Sequence, residues 1–327
     1  LYRVWGGRGL PTPDDSGVLI ASVQQLYQAA RHPEDHEQVL TRWSKALGAV
    51  VIDEAHHAIA PSYTAVLEAL GYRSGRRDHG PAPLLGLTAT PYRSASQTPQ
   101  LARRFQGRLI TPWPSVDNPI GELQARGILA ETQHEIVSTS ASYDMTEAEK
   151  HHLATFGDLA ESFVKRVGLD PNRNHVILKR LLRLDATWPT LFFGCSKEHA
   201  TAVALLLRRN GVSAAVVTAE TGRAARRASV EDFRSGRIRV LCNYGIFTTG
   251  FDAPNVRAVV VARPTTSVVL YEQMIGRGMR GPLNGGTAQC LVIDFGDNLE
   301  RFGVQMAHTR FSEYWKPRGR GRRPGQE

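Results

Sequence analysis

The run Val50-Val51-Ile52 ends in two adjacent carboxylates, Asp53 and Glu54. Carboxylates at the carboxyl end of a parallel strand stand where open α/β sheets bind ligands. There Asp53 would hold Mg²⁺ through water, and Glu54 would orient or deprotonate the water that attacks the γ-phosphate of ATP. An Asp-Glu pair after a strand also serves as a helix cap or a surface pair; the apolar "VVI" before it sharpens the chemical reading. His56, two residues on, could couple the site to a second sheet. An ATP site further needs a glycine-rich loop ending in Lys-Ser or Lys-Thr, and residues 1–49 contain none.

Three more stretches carry groups suited to phosphate chemistry. "LTATPYR" (87–93) sets Thr88 and Thr90 just past an apolar run. Hydroxyls there could tie an ATP site to a nucleic-acid track, and a plain Ser/Thr turn is the alternative. "YEQMIGRGMR" (271–280) is predicted to be one helix, on which the spacing sets Gln273, Arg277 and Arg280 on one face. A planar guanidinium meets two equatorial oxygens of a phosphoryl group as charge builds on them, so Arg277 and Arg280 are candidates for that task; a solvated basic face is the alternative. In "FTTGFDAPNV" (247–256), Gly250 permits close backbone approach or positive φ. Asp252 could accept from a ribose or set a contact between lobes, and Thr248 and Thr249 could donate to phosphate. Taken alone, that stretch is a loop with an Asx turn.

The surrounding pattern supplies elements able to hold these groups. "GVLIAS" (17–22), "AVVID" (49–53) and "LLGLTAT" (84–90) are predicted strands, with "HEQVLTRWSKAL" (36–47) and "SYTAVLEAL" (62–70) as helices. "AVVID" is a continuous apolar run, as in a strand covered on both faces. Strand-helix-strand order implies a parallel sheet. The middle is Pro-rich at 107–119, then helical, with "DPNRN" (170–174) as a turn between helices. Alternation resumes with strands at 190–194, in "AAVVT", in "IRVLCN", in "VRAVVVA" and at 288–295, which is a second sheet.

The 327 residues suffice for two domains, and 42% apolar with 22% charged residues is a globular balance. A net charge of +9 favours a polyanionic partner such as nucleic acid or an anionic membrane surface. No apolar stretch approaches a bilayer-spanning length and no signal-peptide layout opens the chain, so a cytoplasmic location and no membrane partner are expected. Cys195, Cys242 and Cys290 sit beside apolar runs at spacings unlike a zinc site, as buried thiols do. The end of the chain, "YWKPRGRGRRPGQE", has the composition of a disordered basic tail.

Taken in order, these stretches resemble the motifs of a superfamily 2 helicase or translocase. "VVIDEAHHA" is similar to motif II, "LTATPYR" to III, "TLFFGCSKEHA" to IV, "VLCNYGIFTTGFDAPNV" to V and "YEQMIGRGMRG" to VI. "VLIASVQQL" (18–26) resembles the strand and loop that touch nucleic-acid backbone, which implies that role for Ser22 and Gln24. "RPTTSVVLYEQMIGRGMRG" and "LVIDFGDN" look like the RadD-like, DEAH-type DNA repair helicases, whose neighbourhood holds XPB-like and type III restriction translocases.

The resemblance implies an α/β fold of two RecA-like parallel-sheet lobes in tandem. It implies ATP and Mg²⁺ as cofactors and DNA as partner, with RNA not excluded. The expected division is a first lobe truncated at its N-terminus (1–115), a connector and helical segment (116–185), a second lobe (186–300) and a basic tail (301–327). With Asp53, Glu54, Gln273, Arg277 and Arg280 all present, truncation upstream of Leu1 explains the missing loop better than decay of the site. Residues 1–327 alone are then expected to hydrolyse ATP negligibly and to leave a sheet edge and apolar surface open. A translocase subunit of a restriction or antiviral system and a non-enzymatic binding relic are the alternatives.

Overall fold

The computed structural model describes residues 2–4, 10–13, 17–73, 80–94, 96–110, 118–139, 143–246, 255–296, 298 and 312–315. The chain divides into two units, with breaks after Thr111 and after Met306.

In the first unit β1 (Tyr2–Val4) pairs in parallel with β2 (Leu19–Ala21), and β3 (Val50–Asp53) pairs in parallel with β4 (Leu84–Leu87). Around them lie α1 (Val23–Arg31), α2 (Pro33–Ala46), α3 (Pro61–Ala69) and α4 (Thr98–Arg104). Leu40, Trp43, Ile52, Leu67 and Leu101 form one core cluster. Strand side chains alternate between faces. Ile52 therefore enters the core, while Val51, Leu85 and Leu87 remain 59%, 44% and 57% exposed on the opposite face. This corrects the expectation that β3 is covered on both faces: among the described residues only one face of the β3–β4 pair carries a packed layer.

The stretch 301–327, expected to be a basic tail, contributes a short 3₁₀ turn, Ser312–Trp315, to this same unit. Trp315 is buried in the first-unit core, and its indole N–H donates to the Pro91 carbonyl at 2.8 Å. Residues 316–327 lie outside the described residues.

The second unit is a six-stranded sheet, in the order β5-β10-β9-β6-β8-β7, and every pairing is parallel. Its strands are β5 (Glu131–Ile136), β6 (Thr190–Phe193), β7 (Ala214–Thr218), β8 (Val240–Tyr244), β9 (Ala258–Val261) and β10 (Gln289–Asp294). Its helices are α5 (Pro119–Ala125), α6 (Glu147–Phe156), α7 (Glu161–Gly168), α8 (Pro171–Leu182), α9 (Lys197–Arg209), α10 (Arg223–Arg234) and α11 (Val268–Gly276). β6 and β9 are buried along their whole length, as continuous apolar strands inside a parallel sheet are.

The segment expected to be a connector supplies the edge strand β5. "DPNRN" is the start of a helix rather than a turn: Asp170 caps α8 by accepting from the N–H groups of Asn172 and Arg173, and Pro171 takes the first helical position, where its missing N–H costs nothing. From α8 the buried Arg173 donates to the carbonyls of Ala262 and Phe295, stitching the carboxyl ends of β9 and β10. Among the described residues no helix is long and apolar enough to cross a membrane.

Candidate nucleotide site

Asp53 is the last residue of β3, and its exposed carboxylate accepts the Glu54 N–H at 2.9 Å. Glu54 takes a left-handed backbone conformation (φ 51°, ψ 48°), one of two described non-glycine residues with positive φ. Such a conformation costs of order 1–3 kcal/mol and persists only where the surroundings enforce it. Here it bends the chain sharply from the strand into the 3₁₀ turn Ala55–His57 and drives His56 inward, to 2% exposure.

The His56 Nδ1 then lies 3.1 Å from the Thr88 hydroxyl, 3.4 Å from that of Thr90 and 3.5 Å from Glu54 Oε2. Thr88 also accepts the Thr90 N–H at 3.0 Å. Because β4 pairs with β3 in register, Asp53 opposite Leu87, the turn after β4 must fall beside the turn after β3. Burial, then the neighbouring His57 ring, then Arg93 hold the His56 pKa down at about 4. At neutral pH the ring is uncharged, so its approach to Glu54 is a polar contact and not an ion pair. The two hydroxyls singled out from sequence are thus joined to the acidic pair through one neutral imidazole, within a single unit.

Ser22 caps α1 by accepting the Gln25 N–H, and Gln24 is exposed on the first turn of that helix. Thr248, Thr249, Gly250 and Asp252 lie outside the described residues.

In the second unit the predicted helix 271–280 is shorter than expected, which is a correction. α11 ends at Gly276; Gln273 is on it, Arg277 caps it, and Arg280 lies beyond it in an antiparallel bridge with Leu129. The three side chains therefore do not share one helical face. Gly278 explains the turn: a Cβ there would come within 2.3 Å of Cys290 Sγ and 2.7 Å of Val259 Cγ2, so only glycine lets the chain pass this close to β9 and β10.

A feature missed from sequence is Arg263, directly after β9. Its guanidinium lies 5.3 Å from the Tyr244 ring centroid, beside a cavity of about 220 Å³. Asn243, fully buried, lines the same cavity and donates to the Phe192 carbonyl. The only signal was a lone arginine closing an apolar strand, "VVVAR".

The described residues contain no group of three or more metal-ligating side chains. Mg²⁺ does not require one, since it keeps several waters and is bound through one or two carboxylates plus substrate phosphates. The exposed Asp53 carboxylate at a strand end, a hard oxygen donor, fits that demand.

Two family profiles match the chain: one described as "Type III restriction enzyme, res subunit" over residues 3–93, and one described as "Helicase conserved C-terminal domain" over residues 174–281. IRC3 of Saccharomyces cerevisiae, described as an ATP-dependent helicase, is 30% identical over 287 residues, covering 86% of this chain and 37% of its own. Its mitochondrial counterpart in Schizosaccharomyces pombe is 29% identical, over 80% of this chain and 40% of its own. The chain thus spans less than half the length of these two relatives.

Among solved structures, a fragment described as an HsdR subunit of a type I restriction enzyme from Vibrio vulnificus superposes with a TM-score of 0.61 at 19% identity, covering 92% of this chain and 51% of its own. Dbp5 of S. cerevisiae bound to RNA and ADP BeF3 gives 0.50 at 14% identity, over 97% and 68%. These likenesses establish the α/β, RecA-like architecture of parallel sheets.

Proposed function

Taking the chain as a helicase of superfamily 2, we propose that residues 1–327 are part of an ATP-dependent motor that moves on DNA, with Asp53, Glu54, Arg277 and Arg280 acting in ATP hydrolysis. The supporting observation is the Glu54–His56–Thr88–Thr90 cluster, which links a water-activating carboxylate to two hydroxyls through a buried neutral ring. Mg²⁺, held by Asp53 through water, would neutralise phosphate charge when bound. Glu54 orients the attacking water. Arg277 and Arg280, with Gln273 on the helix before them, meet the charge that develops on the transferred phosphoryl group. His56 reports the state of Glu54 to the turn that follows β4. On this reading contact with nucleic acid is assigned to Ser22, Gln24, Thr88, Thr90, Thr248 and Thr249, and contact with the nucleotide to Gly250 and Asp252.

On this reading residues 1–327, with no glycine-rich phosphate loop in residues 1–49, turn over ATP negligibly by themselves. The exposed face of Val51, Leu85 and Leu87 supports that reading, because apolar strand residues of this kind ordinarily carry a further layer. The RadD-like motifs favour a role in DNA repair. The match to the type III restriction profile favours a second reading, a translocase that moves without separating strands. A strand-displacement assay on the full-length protein distinguishes the two.

The central test is Arg280→Ala in the full-length protein. It should lower ATP turnover about 10³-fold or more while leaving DNA binding within twofold. Equal loss of both would assign the arginine to DNA instead.

A further inference from the structure

Arg280 has lost its helix: α11 ends at Gly276. Something else must hold it, because a guanidinium has to be placed to within about 0.5 Å to stabilise a developing charge. The structure supplies a seat from the other end of the unit. The Ala130 N–H donates to the Met279 carbonyl, and the Gly281 N–H donates to the Ile128 carbonyl, each at 3.0 Å. Arg280 therefore sits between two backbone hydrogen bonds to the turn at 127–130, opposite Leu129.

The same turn takes two more bonds at 3.0 Å, from the Leu283 N–H to the Gly127 carbonyl and from the Asn284 amide to the Ile128 carbonyl. The Arg280 carbonyl accepts the Thr287 N–H, closing the loop from behind. The fit has no slack. A Cβ on Gly281 would fall 2.3 Å from the Gly127 carbonyl oxygen, and one on Gly286 would fall 2.0 Å from that of Arg280. Gly127 itself has φ +68°, which turns the chain after α5 so that its carbonyl faces Gly281.

We propose that the turn at 127–130 is the seat that positions Arg280 for phosphoryl transfer, and that Gly281 and Asn284 are positioning residues for that reaction. The proposal rests on the assignment of Arg280 to ATP hydrolysis. Its physical content is that the arginine's backbone is set by the stretch through which the chain enters the second unit. A shift of that turn moves Arg280 directly, and a displacement near 1 Å costs on the order of 10²-fold in rate.

The test uses the full-length protein with Gly281→Ala, Asn284→Ala, Arg280→Ala and the Arg280→Ala/Asn284→Ala double variant, assayed for DNA-stimulated ATP turnover. Gly281→Ala should lower kcat on the order of 10²-fold with the KM for ATP changed less than about twofold. Asn284→Ala, which removes one bond near the surface and spares the fold, should lower kcat by about fivefold and raise amide exchange in 127–131 and 280–287 together. In the Arg280→Ala background Asn284→Ala should change nothing further, because the seat acts only through that arginine. A folded Asn284→Ala variant with wild-type kcat, or an undiminished effect in the double variant, overturns the seat. An unaltered kcat in Arg280→Ala overturns the assignment of Arg280 itself, and the seat with it.

Discussion

Acid should loosen the first unit through one histidine, and the size of the effect follows from its surroundings. His56 is 2% exposed, and burial, His57 and Arg93 together hold its pKa at about 4 against an ordinary 6.5. Folding thus favours the neutral ring. Above about pH 6.5 both folded and unfolded chains carry it neutral, and its contribution to stability is complete. As pH falls the unfolded chain takes up the proton first, so stability drops progressively between pH 6.5 and 4. At pH 5 the loss is about 2 kcal/mol, and below pH 4 it levels off near 3 kcal/mol. The ring can be followed directly by its NMR titration, and the energy by urea unfolding at pH 7.5 and pH 5 for wild type and His56→Asn. The variant should lack this part of the acid sensitivity while keeping that of every other group. An imidazole titrating between pH 6 and 7, or parallel losses in both proteins, would refute the reasoning and release His56 from the neutral role that links Glu54 to Thr88.

Other consequences are as direct. Trp315→Ala removes a buried ring and its bond to the Pro91 carbonyl, so it should cost about 3–5 kcal/mol in urea unfolding; a loss under about 1 kcal/mol would mean that the turn contributes little to that core. All three thiols are buried, and burial raises their pKa values, that of Cys290 to about 12. An aromatic disulfide reagent should therefore label none of them in native buffer and all of them in denaturant, and rapid native labelling would contradict this packing. If the chain moves on DNA as proposed, deleting residues 316–327 should weaken DNA binding and flatten its salt dependence, and an unchanged salt slope would exclude a phosphate contact by that segment.

What sequence could and could not disclose divides along physical lines. β6, β8 and β9 were legible because a strand buried on both faces is a short unbroken apolar run, and the turn residues around them fixed their limits. β5 was not. Glu131–Ile136 reads "ETQHEI", the half-polar pattern of an edge strand, and only its pairing with β10 reveals it. Asp53, Glu54, Thr88 and Thr90 were legible as types at strand ends. The link between them was not, because it depends on a left-handed Glu54 that no propensity favours. Arg280 was misplaced for an instructive reason. Seven residues from Gln273 suits a helix, yet the chain leaves α11 at Gly276 because hydrogen bonds to residues 128 and 130, far away in sequence, outcompete another helical turn. Trp315 was hidden in a basic context that argues for solvent, while its ring belongs to a core begun by Leu40 and Trp43.

The position of Trp315 sets an order on biosynthesis. The first unit is interrupted after Thr111, and its plug emerges from the ribosome only once the entire second sheet has been made. At about 5–20 residues per second, the intervening stretch of roughly 200 residues takes on the order of 10–40 s to translate. Throughout that interval the nascent first unit stands with a core one indole short, at the stage when a growing chain is most exposed to misassociation. Its maturation is therefore gated by completion of its neighbour, and dissection of the gene at the boundary between the units would yield a first half permanently caught in that state.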